Sequence, residues 1–307
     1  MTAVQLVRRE DVQVFHATWT ELLAILPYRD DGTKADAVIV DFPYSERTHA
    51  GHDDGSATAN RCADFAARNA RREADRRYAI ARAADEDGHR RTLNYPAWTP
   101  DDVEAFCAAW APATRGWLVS VTDHVLAPAW EAALVRAGRY VFAPIACTEP
   151  GSRVRMVGDG PSNWSTWAVV SRPSDGAWLD AWRSARRALG LGCSLPGAYV
   201  VPPGHGDTRA GRRSDDLRVV GAKPAWLCER LAEDYSLPGE TIVDAGCGGG
   251  SMLLGALRAG RRAIGGDAML AHAEMSARRV SRMVQRDLFS RVEAAPAEQL
   301  GLLGSGT

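Results

Sequence analysis

Two short stretches of this 307-residue chain hold side chains that could do chemistry together. The first is Asp41-Phe42-Pro43-Tyr44, which follows the apolar run Ala37-Val38-Ile39-Val40. That run is short, β-branched and closed by a turn signal, the pattern of a buried parallel strand. The four residues after it then form the turn at the strand's carboxyl end, where ligands bind in open α/β sheets. A carboxylate, free backbone carbonyls and an aromatic face in one rigid turn can grip a planar amine. The second stretch begins with the strand Thr241-Ile242-Val243-Asp244. Ala245-Gly246-Cys247-Gly248-Gly249-Gly250 follows, then a helix over 251–259 and a strand over 262–266 that ends at Asp267. This is a βαβ nucleotide-binding unit. Its glycines let the backbone approach a ligand, its helix N-terminus favours a negative group, and Asp267 can accept from ribose hydroxyls. A dinucleotide fingerprint, G-x-G-x-x-G, is met from Gly246 except at its last place, which is Ser251.

The length suits one large or two small domains with a real core. Composition is that of an ordinary globular protein, 46% hydrophobic and 24% charged. A formal charge of −1 gives no overall basic character, so any contact with nucleic acid must come from local charge. The six cysteines are scattered without a CxxC pair. Neither zinc spacing nor a disulfide framework is visible, which suits a reducing cytoplasm. The sequence shows no signal segment and no apolar run long enough to span a membrane, so the expected location is cytoplasmic. No metal site is expected.

The elements that must position the two stretches alternate between strand and helix. A strand at 12–16 leads to a helix over 19–26 with Thr18 as N-cap. After the Asp41 turn, residues 45–95 change character: a small, polar segment with His49 and His52 precedes an Ala/Arg-rich segment, 61–84, that reads as helix. It is either a solvated helix or an insertion beside the site that contacts phosphates. His49 and His52 are either exposed loop residues or phosphate contacts. Thr99 caps a helix with Pro100 at its first position. Strands at 116–121, 140–145 and 167–171 and a helix at 128–137, closed by Gly138, follow. The alternation predicts a parallel sheet covered on both faces. Residues 172–220 lose this rhythm. They carry Trp178, Trp182, Arg186, Arg187, Arg209, Arg212 and Arg213 among prolines and glycines, which suits either a solvated loop or a nucleic-acid surface. Gly221-Ala222-Lys223-Pro224 then opens a helix just before the strand at 241–244.

Asp-Phe-Pro-Tyr resembles the Asp-Pro-Pro-Tyr motif of the DNA amino-methyltransferases. The D-x-G-x-G-x-G run from Asp244 is similar to the S-adenosylmethionine loop of Rossmann-like methyltransferases. The order, with the catalytic-type turn some two hundred residues before the loop, resembles the β-class, whose catalytic half comes first and cofactor half last. Lys223-Pro224 looks like that family's Gln-Lys-Pro segment, and Arg261-Arg262-Ala263-Ile264-Gly265 before an acid like its second cofactor strand. The resemblance spans most of the chain. It departs at Phe42 for proline, at Thr18 where many relatives have an acid, and at Asp244-Ala245-Gly246 for the commoner Asp-Pro-Phe.

The resemblance implies a Rossmann-like methyltransferase fold in circularly permuted order. Residues 1–171 are then the catalytic half with an Arg-rich insertion, 172–220 a target-recognition region, and 221–307 the cofactor half. It implies S-adenosylmethionine as cofactor, held by Lys223, Pro224, Asp244, Ala245, Gly246, Cys247, Gly248, Gly250 and Asp267. It implies double-stranded DNA as substrate, with His49, Arg186, Arg187, Arg209, Arg212 and Arg213 as candidate contacts. Some members of the class dimerise, so a homodimer is within the expectation. Asp41 and the Phe42 carbonyl would accept from the amine hydrogens of a flipped base stacked on Tyr44, with Pro43 fixing the turn. Adenine N6 is favoured over cytosine N4 by family habit, in a restriction-modification or phage setting. Two other readings stay open: a methyltransferase for RNA or a small molecule, and a non-catalytic DNA-binding protein that kept the fold.

Overall fold

The computed structural model describes residues 3–53, 95–153, 163–202 and 222–293. The proposed helix over 61–84, the loop arginines Arg209, Arg212 and Arg213, and the tail after Ala294 lie outside them. A single sheet of ten strands runs through the described residues. In chain order they are β1 (Val4–Arg8), β2 (Val12–His16), β3 (Ala37–Val40), β4 (Leu118–Thr122), β5 (Arg139–Val141), β6 (Ile145–Arg153), β7 (Asn163–Pro173), β8 (Ala198–Val200), β9 (Thr241–Asp244) and β10 (Arg262–Asp267). Their order across the sheet is β1-β2-β10-β9-β3-β4-β7-β6-β8, with β5 beside β7.

The five central strands, β2-β10-β9-β3-β4, are mutually parallel. β1 pairs antiparallel with β2, and β7 antiparallel with β4, β5 and β6. Number the strands from β9, the one before the glycine loop, and continue from the C-terminus back to the N-terminus. The centre then reads 3-2-1-4-5, the order of a doubly wound sheet. The termini fall between its second and third strands, which is a circular permutation. The crevice of such a sheet lies where the winding reverses, here between β9 and β3.

Burial explains the strand sequences. All four residues of β3 are at most 1% exposed. Ala37 and Ile39 enter one core with Val119, Val121, Ile242 and Leu253, while Val38 and Val40 enter the other with Leu118, Phe106, Trp110 and Trp130. A strand covered on both faces has no polar side, so it reads as a continuous apolar run.

Helices α1 (Trp19–Ile25), α3 (Pro100–Ala113) and α4 (Ala127–Arg136) cover the second face. Helix α2 (Glu46–Asp53) leaves the Asp41 turn. Helices α5 (Gly176–Ala188), α6 (Ala225–Asp234), α7 (Ser251–Arg258) and α8 (Leu270–Glu293) contribute to the first. Both N-terminal signals are realised as reciprocal capping boxes, Thr18 with Glu21 and Thr99 with Asp102. Gly138 closes α4 at φ +76°. No described helix is long and apolar enough to cross a membrane.

The structure departs from the sequence reading in four places. The strand expected over 140–145 is two strands, β5 and the long β6, both on β7. A strand over 4–8 extends the sheet beyond β2. Residues 176–188 form a capped helix, not an irregular loop, with Asp175 accepting from the Ala177 N–H. Trp117 brings Trp178 and Trp182 edge-on against it, at 5.7 and 5.3 Å. Finally, residues 198–200 add strand β8 to β6. The spacing of Trp178 and Trp182 is that of a helix packed on the core.

Candidate active site

β3 and β9 are hydrogen-bonded neighbours, with Val38 opposite Val243. The Asp41 turn and the glycine loop therefore leave the sheet side by side, although two hundred residues separate them in the chain. Three carboxyls gather at this crevice: Asp41 after β3, Asp244 ending β9 and Asp267 ending β10.

Asp41 meets the Lys223 ammonium, with Nζ 2.6 Å from Oδ2. The lysine side chain is 5% exposed and the aspartate 22%. The other oxygen, Oδ1, is buried and has no hydrogen-bond partner. Burial raises the Asp41 pKa, and the charge and hydrogen bond of Lys223 only partly oppose it. Burial pulls Lys223 down, but Asp41 and Tyr44 outweigh it, so the lysine stays charged. The same ammonium lies 4.8 Å from the centroid of the Tyr44 ring. Lys223, expected among the residues that hold the cofactor, thus lies against the Asp41 turn. Pro224 follows it as the N-cap of α6.

Tyr44 is fixed at its far end. Its hydroxyl lies 2.9 Å from Thr166 Oγ1, which itself donates to the Thr122 carbonyl. A hydroxyl has one proton, so Tyr44 donates to Thr166. Burial holds the phenol above its ordinary range. The turn is tied down beyond Tyr44 by Asp123, at the end of β4. Its Oδ2 accepts from Ser45 N at 3.0 Å, Ser45 Oγ at 2.5 Å and Thr48 Oγ1 at 2.5 Å. Its Oδ1 accepts from the Val125 and Leu126 N–H groups, which anchors α4. Sequence reading passed over Asp123, yet an acid directly after the strand beside β3 was a visible signal.

Residues 95–99 cross above the turn. The Trp98 N–H donates to the Tyr44 carbonyl, and the Trp98 ring stacks on Phe42 at 3.9 Å. Tyr95 lies edge-on between His49, at 5.4 Å, and His272, at 6.1 Å. Its phenol pKa is raised, first by burial and then by Asp41. Tyr95 and Trp98 were not singled out from sequence, because nothing local marks a loop that returns over a distant turn. The Phe42 side chain is 7% exposed and faces the core.

The glycine loop is braced by its acids. Asp244 Oδ1 accepts from the Gly246 N–H at 3.3 Å, and Asp267 Oδ2 from Gly248 N–H at 2.8 Å. Asp267 Oδ1 accepts from Met269 N–H at 2.8 Å, with His272 Nδ1 3.6 Å away. Each Asp267 oxygen keeps a second lone pair for a ligand. Ala245 is buried against the second core. Gly250 caps α7 at φ +76°, with Ser276 so close that a Cβ could not fit. Burial pushes Asp244 well above the usual carboxylate range. It does the same to the Cys247 thiol, which is therefore no nucleophile.

The expected DNA contacts fare differently. Arg186 is not at the surface: it is 5% exposed. Its guanidinium donates to the carbonyls of Gly192, Glu233 and Asp234, so it locks α5 to the end of α6. Arg187 is exposed on α5. His49 is half-buried on α2 beside Tyr95. Among the described residues no three metal-ligating side chains cluster.

This topology, with a glycine loop and an acid-ended turn on adjacent central strands, defines a Rossmann-like methyltransferase fold in permuted order. Solved structures share it, among them the following two. M1.HpyAVI matches over 88% of this chain and 98% of its own, at 12% identity and a TM-score of 0.51. The PvuII DNA methyltransferase, cytosine-N4-specific, matches over 87% of this chain and 86% of its own, at 12% identity and a TM-score of 0.51. No family model and no curated protein sequence matches the chain.

Proposed function

We propose that the chain is an S-adenosylmethionine-dependent methyltransferase acting on the exocyclic amine of a base in duplex DNA. One observation carries the reading. Asp41 has one oxygen held by Lys223 and the other buried without a partner, at the crevice that also holds the glycine loop. A buried unpaired acceptor is costly, on the order of 1–3 kcal/mol, unless a ligand satisfies it. An amine hydrogen is such a ligand.

The residues of the loop suit the cofactor. A cation is favoured where Asp41, Asp244 and Asp267 converge, and a pyrophosphate is not. The cofactor, when bound, supplies a methyl group on a positive sulfonium. Asp244, Gly246, Gly248, Gly250 and Asp267 would hold it.

The remaining work falls to the chain. An exocyclic amine is a poor nucleophile because its lone pair is delocalised into the ring. Asp41 Oδ1 and the Phe42 carbonyl accept its two hydrogens and draw the nitrogen toward a tetrahedral shape. Tyr44, held by Thr166 and Lys223, offers the aromatic face on which a flipped base stacks. Lys223 favours the ionised form of Asp41 and holds it in one orientation. Catalysis of this kind is positioning and electrostatics, without a covalent intermediate.

DNA as the substrate is supported by the motif order and by the fold shared with the PvuII enzyme. Adenine N6 is favoured over cytosine N4. The test incubates the protein with labelled cofactor and duplex DNA, RNA or free nucleosides, then digests the products to nucleosides. N6-methyladenine in DNA alone is the expected result, and Asp41→Ala should abolish it while cofactor binding survives. Label in RNA only, or cofactor binding without any transfer, would overturn the reading.

A further inference from the structure

Two positions depart from the motif pattern on opposite sides of the crevice. Position 42 has a phenylalanine where the pattern has proline, and position 246 has glycine where the commoner loop has phenylalanine. In the structure these two positions touch. A Cβ built on Gly246 would lie 2.6 Å from Phe42 Cε1 and 2.7 Å from Cδ1. Real carbons do not approach that closely.

The ring cannot step aside. It stacks on Trp98 at 3.9 Å and 17°, meets Phe106 edge-on at 4.7 Å, and is 7% exposed. Cores packed at this density respond to an added methylene by strain.

We infer that Phe42 and Gly246 are one compensating exchange: a single aromatic ring between catalytic turn and cofactor loop is supplied here from the turn, which makes Phe42 a positioning residue for the loop. The peptide of residue 42 belongs to the catalytic turn, with Asp41 on one side. Its ring supports Gly246, whose N–H is held by Asp244. Both ends of the crevice therefore share one rigid contact, and a side chain at 246 is tolerated only when the ring at 42 is gone. The inference rests on the reading of the loop as a cofactor site, and its test separates the two.

The test is a double-mutant cycle on the full chain with Phe42→Pro, Gly246→Phe and the combination. Phe42→Pro keeps the carbonyl that faces the amine and removes the ring, together with the residue 42 N–H and its freedom in φ. Affinity for S-adenosylmethionine is measured by calorimetry without DNA, beside the thermal midpoint of the free protein. Each single variant should bind the cofactor at least about tenfold more weakly, and the double should recover to within about threefold of the starting protein. A double no better than the worse single overturns the exchange, as does full affinity in Gly246→Phe. Should Gly246→Phe fail to fold, Gly246→Ala with Phe42→Leu repeats the cycle with smaller changes. If the starting protein binds no cofactor, the functional reading fails. The thermal cycle then still decides the exchange, since independent positions give additive midpoints and an exchanged pair does not.

Discussion

Lys223→Met removes the cation paired with Asp41 among the described residues, at nearly constant volume. At 2.6 Å and an effective dielectric of about 20, the attraction lost is about 6 kcal/mol. Methionine is easier to bury than an ammonium, which returns part of it. Breaking a buried pair by deleting one partner typically costs about 3–5 kcal/mol. Protonation sets a second limit. A buried aspartate without its cation takes up a proton, and from an unfolded value near 3.9 that costs about 4 kcal/mol at pH 7 and about 1.5 kcal/mol at pH 5. The expected loss is therefore about 3–4 kcal/mol at pH 7, or a fall of about 5–6 °C in thermal midpoint for a chain of this length. The sign with pH follows from the direction of the shift. Burial already raises the Asp41 pKa, and loss of the lysine raises it further. A raised carboxyl contributes stability that is present below its unfolded value and lost as pH rises through its folded value. The deficit of the variant should thus grow between pH 5 and pH 7. Turnover should fall too, with its acid limb displaced to higher pH, because a protonated Asp41 accepts poorly. Thermal scans at the two pH values and a pH–rate profile measure this. A variant with an unchanged midpoint at pH 7 and an unmoved acid limb would refute the assignment of Lys223 as the counter-charge.

Asp41→Asn should lower turnover by about 10²- to 10³-fold while changing cofactor affinity little, as read by single-turnover kinetics and calorimetry. Asp123→Ala leaves the Ser45 and Thr48 donors without their acceptor and should cost about 2–3 kcal/mol by denaturant titration, with turnover reduced more than cofactor affinity. Burial raises the Asp123 pKa, but its donors outweigh that and hold it below the usual range. Its contribution is present above the unfolded value and lost as pH falls through the folded one, so the Asp123→Ala deficit should shrink in acid. Cofactor binding should release protons and tighten as pH rises, since a cation favours ionised Asp244, which burial raises well above the usual carboxylate range; calorimetry in two buffers of different ionisation enthalpy reads the proton count.

What was legible in the sequence follows a simple division. β3, β9 and the glycine loop declared themselves because a doubly buried strand needs an unbroken apolar run and a close-approach loop needs glycine. Thr18 and Thr99 were readable because a cap is a local hydrogen bond. The contacts that were not readable are those made across the fold. Lys223 is expected among the residues that hold the cofactor, and nothing local announces that its ammonium reaches the turn 182 residues earlier. Arg186, in an arginine pair among tryptophans, looked like a phosphate contact. Its burial depends on the carbonyls of α6, which no local pattern announces. Tyr95 and Trp98 belong to a loop whose path over the site is set by tertiary packing.

The permutation shows why the site is insensitive to chain order. The crevice requires β3 beside β9, each followed by its own turn. Cutting the chain between the second and third strands of the winding moves the termini to β10 and β1–β2, on the far side of β9 from Asp41. No bond within the crevice is touched. What order does change is the route by which the halves are joined. Here Lys223 lies at the start of the segment that carries the glycine loop, and its ammonium is an ionic contact from that segment to Asp41. The Phe42 ring beneath Gly246 is a second contact between the same two halves, apolar and rigid. An ion pair fixes charge and a packed ring fixes distance. Chemistry that depends on holding a donor and an amine at a set separation needs both.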